Sequence, residues 1–141
     1  TGQITGSADL AIHQITAQDG IVATGSTLVH GTFYPTKCVS LAYVETTADI
    51  DISALHNVVV FNGTAANRTG TLPAVSGLTG RQYTFINDSA NNKHFCIEGT
   101  GTEQVGNALS AVLEYSGQTI SVICNGSKWV PFANYHLDEG E

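Results

Sequence analysis

Residues 71–132, TLPAVSGLTGRQYTFINDSANNKHFCIEGTGTEQVGNALSAVLEYSGQTISVICNGSKWVPF, decide the fold. Three runs within them, 81–87, 93–98 and 118–124, alternate apolar with polar residues, and clusters of Gly, Asn and Ser separate the runs. A fourth run, 127–132, carries the only tryptophan, Trp129. Alternation with a period of two places the apolar side chains on one face of a strand. Such strands must pair with one another, because none can bury its face alone.

Upstream the same pattern continues. Residues 57–62, NVVVFN, form a continuous apolar run and read as a central strand. In 48–52, ADIDI, the spacing sets Asp49 and Asp51 on one face and Ile50 and Ile52 on the other. Residues 38–45 alternate as well. Residues 21–24 and 27–34 read as strands, the second with Gly31 in mid-run, which signals a bulge or bend, and Pro35 at its end. Between these runs, 62–70 reads as a loop, Leu72-Pro73 ends a short strand, 75–80 is a turn and 112–115 is one further short strand. Residues 107–115 are too short a stretch to assign as a helix. The expectation is an all-β fold, a jelly-roll-like antiparallel β-sandwich of about nine or ten short strands. The absence of crossover helices and the uneven loops favour it. No repeat with a period of about 20–50 residues is evident.

The chain of 141 residues is expected to hold one folded domain, residues 21–135. Residues 1–20 are polar, with Ile4, Leu10, Ile12 and Ile15 as apolar points, and read as an extended N-terminal arm with a short strand at 10–15. An arm without a core of its own frays or lies on a neighbouring subunit, so these four residues are the candidate subunit or partner contacts. Residues 136–141 form an acidic C-terminal tail. No secretion signal is expected, since the first ten residues lack a basic and then an apolar region.

Composition narrows the function classes. Charged residues make up 12% of the chain, about half the usual share of roughly 25%. The polar surface therefore rests on Ser, Thr, Asn, Gln and Gly, which suits a protein packed against partners. Net charge is −7, and Lys37, Arg68, Arg81, Lys93 and Lys128 are scattered, so no basic stripe faces a phosphate backbone. Direct nucleic-acid binding is not expected. Nor is a membrane span, because no apolar run approaches the roughly 18 residues needed. Cys38, Cys96 and Cys124 are odd in number, lack a CxxC pair and lie in apolar or alternating runs, and they read as reduced thiols.

Each chemistry-bearing motif has a plainer reading. The histidines His13, His30, His56, His94 and His136 show neither HxH nor HExxH spacing, and no metal site is expected. Asp49 and Asp51 read as neighbouring acids on a solvated face. No GxSxG elbow, P-loop or dinucleotide fingerprint is present. Four Asn-x-Ser/Thr triplets begin at Asn62, Asn67, Asn87 and Asn125, and the Asn-Gly pairs 62–63 and 125–126 fit tight turns better than glycan sites. The aromatics Trp129, Tyr83, Phe85, Phe95, Tyr115, Phe132 and Tyr135 read as core rather than as a sugar platform. Trp129 is expected to pack inward, with Pro131 confining its run to an edge or strand end. No catalytic residue and no cofactor is assigned.

The second half of the chain is similar to β-rich modules of tailed-bacteriophage virion proteins, a group that includes head-fibre, decoration (cement) and tail-fibre or tailspike proteins. The resemblance rests on Leu72-Pro73 ending a strand, a turn with Gly77 and Gly80, and an aromatic-alternating strand with Tyr83, Phe85 and Asn87. A Cys-Asn-Gly turn into tryptophan follows, at Cys124, Asn125, Gly126 and Trp129. It implies a small capsid decoration protein, a homotrimer on the capsid exterior that bridges neighbouring capsomers through the major capsid protein, made in the host cytoplasm. No fibrous shaft or collagen-like repeat is present to suggest a tail fibre. The alternative is a receptor- or glycan-binding head module of a head fibre or tail fibre. An enzyme would need converging carboxylates, for which Asp49, Asp51, Glu98 and Glu114 are the strand-borne acids.

Overall fold

Nine strands and no helix run through residues 40–135, the part of the chain that the computed structural model describes. They are β1 Tyr43–Thr46, β2 Ile50–Asp51, β3 Val58–Phe61, β4 Arg68–Thr71, β5 Gln82–Asn87, β6 Phe95–Glu98, β7 Ser110–Leu113, β8 Thr119–Cys124 and β9 Trp129–Tyr135. The all-β expectation of about nine strands holds. Eight of the sequence-read runs from residue 38 onward contain an observed strand core within a few residues. The strands expected at 10–15, 21–24 and 27–34 lie outside the described residues. β4 was missed. Its RTGT sequence carries no apolar residue, so nothing in its pattern separates it from the loop assigned to 62–70.

The strands form a five-stranded sheet, ordered β1-β3-β5-β8-β9, and a four-stranded sheet, ordered β2-β4-β6-β7. From β1 to β6 the chain alternates between the sheets, and each return to a sheet lands beside the previous strand in parallel. Thus β1, β3 and β5 pair in parallel in one sheet, and β2, β4 and β6 in the other. The winding ends with antiparallel β7 on β6, β8 on β5 and β9 on β8. The antiparallel jelly roll expected from the sequence is corrected to this mixed arrangement. Parallel strands need a crossover, and here the strand in the opposite sheet supplies it, so no helix is required. The register also explains the lack of a visible repeat. Tyr43 lies beside Val58 and Val58 beside Thr84, two unequal steps along the chain.

The core lies between the sheets. The five-stranded sheet contributes Val59, Phe61, Tyr83, Phe85, Ile120 and Val122, and the four-stranded sheet Phe95, Ile97 and Leu113. Aromatic rings link them: Phe61 stacks on Phe95 with centroids 5.2 Å apart, Phe85 meets Phe95 edge-on at 6.2 Å, and Tyr83 lies 5.4 Å from Trp129. Offset and tilted pairs of this kind add about 0.5–1.5 kcal/mol each beyond their buried area. Trp129 is fully buried as expected, and its indole N–H donates to the Pro73 carbonyl at 3.2 Å, whereas Tyr115 and Phe132, also read as core, are exposed. That bond ties β9 to the strand end marked by Leu72-Pro73. Pro131 falls within β9, the edge strand of its sheet, beside a bulge at Ser121/Val122. An edge and a bulge are the two places where a missing ladder donor is tolerated.

Two polar devices hold the connections. Asn87, at the end of β5, is fully buried. Its side-chain N–H groups donate to the Lys93 and Leu113 carbonyls, both at 2.8 Å, and its Oδ1 accepts from Ser89 N at 3.0 Å. One amide thereby joins β5, the approach to β6 and the end of β7. Arg81, just before β5, grips the β2–β3 turn: its guanidinium donates to the carbonyls of Ala54 at 2.7 Å and His56 at 3.1 Å, and it lies 5.2 Å from the Tyr83 ring centroid. The Tyr83 hydroxyl adds a bond to the Ser53 carbonyl of the same turn.

Candidate functional site

In a β-sheet, residues opposite one another on paired strands share a face, so the register sorts each sheet into an inner and an outer set. On the five-stranded sheet, one outer row is Tyr43, Val58, Thr84, Ser121 and Ala133. A second contains Glu45, Val60, Ile86 and Thr119, and Ile123 and Val130 extend the face toward the β8–β9 turn. Val60 is buried yet stands apart from the core cluster, as its outward position requires. On the four-stranded sheet the outer rows are Asp51, Thr71, Glu98 and Ser110, and Thr69, Cys96 and Val112.

The two outer faces differ in chemistry. The four-stranded sheet turns out mainly hydroxyls and carboxylates, the usual dress of a solvated face. The five-stranded sheet turns out valine, isoleucine and tyrosine. Its one central polar pair, Thr84 and Ser121, is self-satisfied by a hydroxyl–hydroxyl bond of 2.8 Å. Toward the β1 edge Tyr43 is 58% exposed and Leu41, two residues before it, 56%; on the opposite edge strand, Phe132 is 55% exposed. Exposed apolar side chains at both edges of a sheet face that carries Val, Ile and Tyr beside Thr, Ser and Gln82 mark an interaction surface. It is the candidate functional site.

At the rim of this face the Tyr43 hydroxyl donates to Glu45 Oε1. That bond, then desolvation and the charges of Glu45 and Asp88, raises the phenol above its usual value of 10.0. The Glu45 carboxylate also accepts from Asn62 Nδ2 at 2.9 Å.

The acids proposed from sequence are dispersed in their roles. Asp49 Oδ1 accepts from the Thr69 amide at 2.9 Å, and its other oxygen lies 3.9 Å from Arg68, so it staples β2 to β4. Asp51 and Ile52 do take opposite sides, exposed and buried. Glu98 accepts from the Thr71 hydroxyl at 3.4 Å, and Glu114 is exposed just beyond β7. Among the described residues no three His, Cys, Asp or Glu side chains come together to hold a metal. His56 Nδ1 accepts from the Ser53 amide, and His94 is exposed at the start of β6. Cys96 and Cys124 are free thiols in different sheets. His13, His30, His136, Cys38 and the contact candidates Ile4, Leu10, Ile12 and Ile15 lie outside the described residues.

The Asn-x-Ser/Thr triplets divide by environment. Asn87 is buried and committed to three hydrogen bonds, and Asn67 Oδ1 accepts from His94 N at 3.0 Å. Asn125-Gly126 is a turn, with Gly126 in the left-handed region at φ 91°. Asn62-Gly63 is not of this kind. Gly63 is needed for close approach, because a Cβ there would come within 2.4 Å of the Phe61 ring. Beside the β8–β9 turn an open depression of about 410 Å³ is lined by Thr102, Glu103, Gln104, Asn125, Ser127 and Lys128. Among the described residues no helix is long and apolar enough to cross a membrane.

No protein-family model matches the chain, and no curated protein sequence matches it.

Proposed function

We propose that this chain is a structural protein of a tailed-bacteriophage virion: a capsid decoration or cement protein that associates as a homotrimer and bridges neighbouring capsomers through the major capsid protein. The observation that carries the reading is the apolar outer face of the five-stranded sheet, set against the polar outer face of the other sheet. A face of Val, Ile and Tyr in a chain with few charges gains by being covered, at roughly 25 cal/mol per Å² of apolar area removed from water. The acidic face repels its own copies, and the uncharged centre of the other face does not. Symmetry repeats a modest contact around each axis, and many such contacts give avidity that one would not. Capsomer joints held this way resist separation.

The experiment is the mass of the chain in solution, for the natural sequence and for Ile123→Lys, followed by binding to capsids stripped of surface proteins. The natural chain is expected as a trimer that binds, and Ile123→Lys as a folded monomer. A natural chain that stays monomeric at all concentrations and ignores capsids overturns the reading. Deletion of residues 1–15 is expected to weaken capsid attachment.

A second reading, a glycan-binding head module of a head or tail fibre, draws support from the depression by the β8–β9 turn, whose amides and hydroxyls match sugar hydroxyls. Selective binding on a glycan array would favour it, and a cement protein is expected to show none.

A further inference from the structure

We infer that Asn125 is a site of covalent self-modification, at which the folded chain converts the side-chain amide to aspartate and isoaspartate through a cyclic imide. The argument compares two copies of the same dipeptide. Asn-Gly occurs at 62–63 and at 125–126, and glycine is the successor least able to shield an asparagine side chain from its own backbone. The fold treats the two differently at each atom that reacts.

At the electrophile, Asn125 Oδ1 accepts from the backbone N–H groups of Ser127 and Lys128, both at 2.9 Å. Two fixed donors on a carbonyl oxygen draw electron density from Cγ and stabilise the negative charge that builds on oxygen during attack. Asn62 Oδ1 is buried and has no hydrogen-bond partner among the described residues. At the nucleophile, the Gly126 amide is directed at Cys124 Sγ, 3.4 Å away, a weak acceptor whose loss on deprotonation costs little. At the leaving group, Asn62 Nδ2 is held by Glu45. Access differs too: Asn125 and Gly126 are exposed, whereas Asn62 is half-buried and Gly63 is buried against the Phe61 ring.

The step balances with water alone. Hydroxide removes the Gly126 amide proton, and the nitrogen attacks Asn125 Cγ, forming a C–N bond and a tetrahedral oxyanion at Oδ1. The oxyanion collapses and the C–Nδ2 bond breaks as the leaving nitrogen takes a proton from water, so that ammonia departs, hydroxide is regenerated and the five-membered imide closes. Water opens the imide at either carbonyl, giving aspartate or isoaspartate with no change of oxidation state. The product adds a negative charge beside Lys128 and Glu103 in the open depression. Isoaspartate also lengthens the backbone of the turn that delivers Trp129 to the core.

The test incubates the full chain at mildly alkaline pH and maps conversion at each asparagine by peptide mass spectrometry, with enzymatic methylation to detect isoaspartate. In the folded chain Asn125 is expected to convert at least roughly tenfold faster than Asn62, a modest share of what two oxyanion donors can supply. In denaturant the two rates are expected to converge. Conversion of Asn125 no faster than Asn62 in the folded chain overturns the proposal, as do rates that stay unequal in denaturant, which would put the cause in local sequence. The comparison is internal to one chain, so it does not depend on a variant that folds.

Discussion

Two residues concentrate what single side chains do in this molecule. Asn87 joins three chain segments from a fully buried position, and Asn87→Ala removes the side-chain donor to the Leu113 carbonyl and one of the two side-chain donors, with the Ser89 hydroxyl, to that of Lys93. A loss of about 2–4 kcal/mol is expected, read by chemical denaturation. An unchanged midpoint would show that water replaces the amide. The sequence marked Asn87 as a strand end and a triplet but not as buried, because hydrophobic patterning carries no signal for a buried amide. Tyr43 is the second. Its folded-state pKa is raised chiefly by the hydrogen bond to Glu45, which holds the neutral phenol. The stability that this bond contributes is present below the ordinary tyrosine range and is lost as pH rises through the raised value. Glu45→Gln is expected to bring the phenol back toward its usual value, measured by phenolate absorbance with Tyr43→Phe as the blank.

At the scale of elements, most strands were legible and their partners were not. The runs at 81–87 and 118–124 alternate cleanly, and β5 and β8 lie inside them. NVVVFN was correctly read as central, since β3 lies between β1 and β5 with neighbours on both sides. Parallel pairing escaped because it is set by where a connection returns, and the connection here is another strand whose pattern looks like any other. The outer-face chemistry was equally hidden, since inner and outer positions can be assigned only once register is known. The β2–β3 turn depends on a residue far along the chain. Arg81→Ala is expected to speed amide exchange at His56, whose N–H closes the turn on Ser53, while Phe95 in β6 stays protected. The stability lost should be about 1–3 kcal/mol, the range for hydrogen bonds to a charged group.

For the whole molecule, the contrast between the two outer faces yields a paired prediction. Lysine at Ile123 is expected to lower the mass in solution, and lysine at Thr71, outward on the four-stranded sheet, to leave it unchanged. Equal effects from both would mean that charge, and not the apolar face, governs association. Trp129→Ala tests the core itself: a fully buried indole that also bonds to Pro73 is expected to cost about 3–5 kcal/mol.

The place of β8 has a consequence for synthesis. It is the fourth strand of its sheet in space but the eighth in sequence, and β5 is left with one bare side until β8 arrives. A ribosome that has released everything through β6 has therefore made a stack of coils with an open flank. Closure waits on a hairpin still inside the exit tunnel. Nascent chains stalled ahead of Trp129 should be cut readily by protease, and those stalled well beyond it should resist. Maturation of this protein is thus expected to begin after translation of its β-region is complete, with its last strands as the gate.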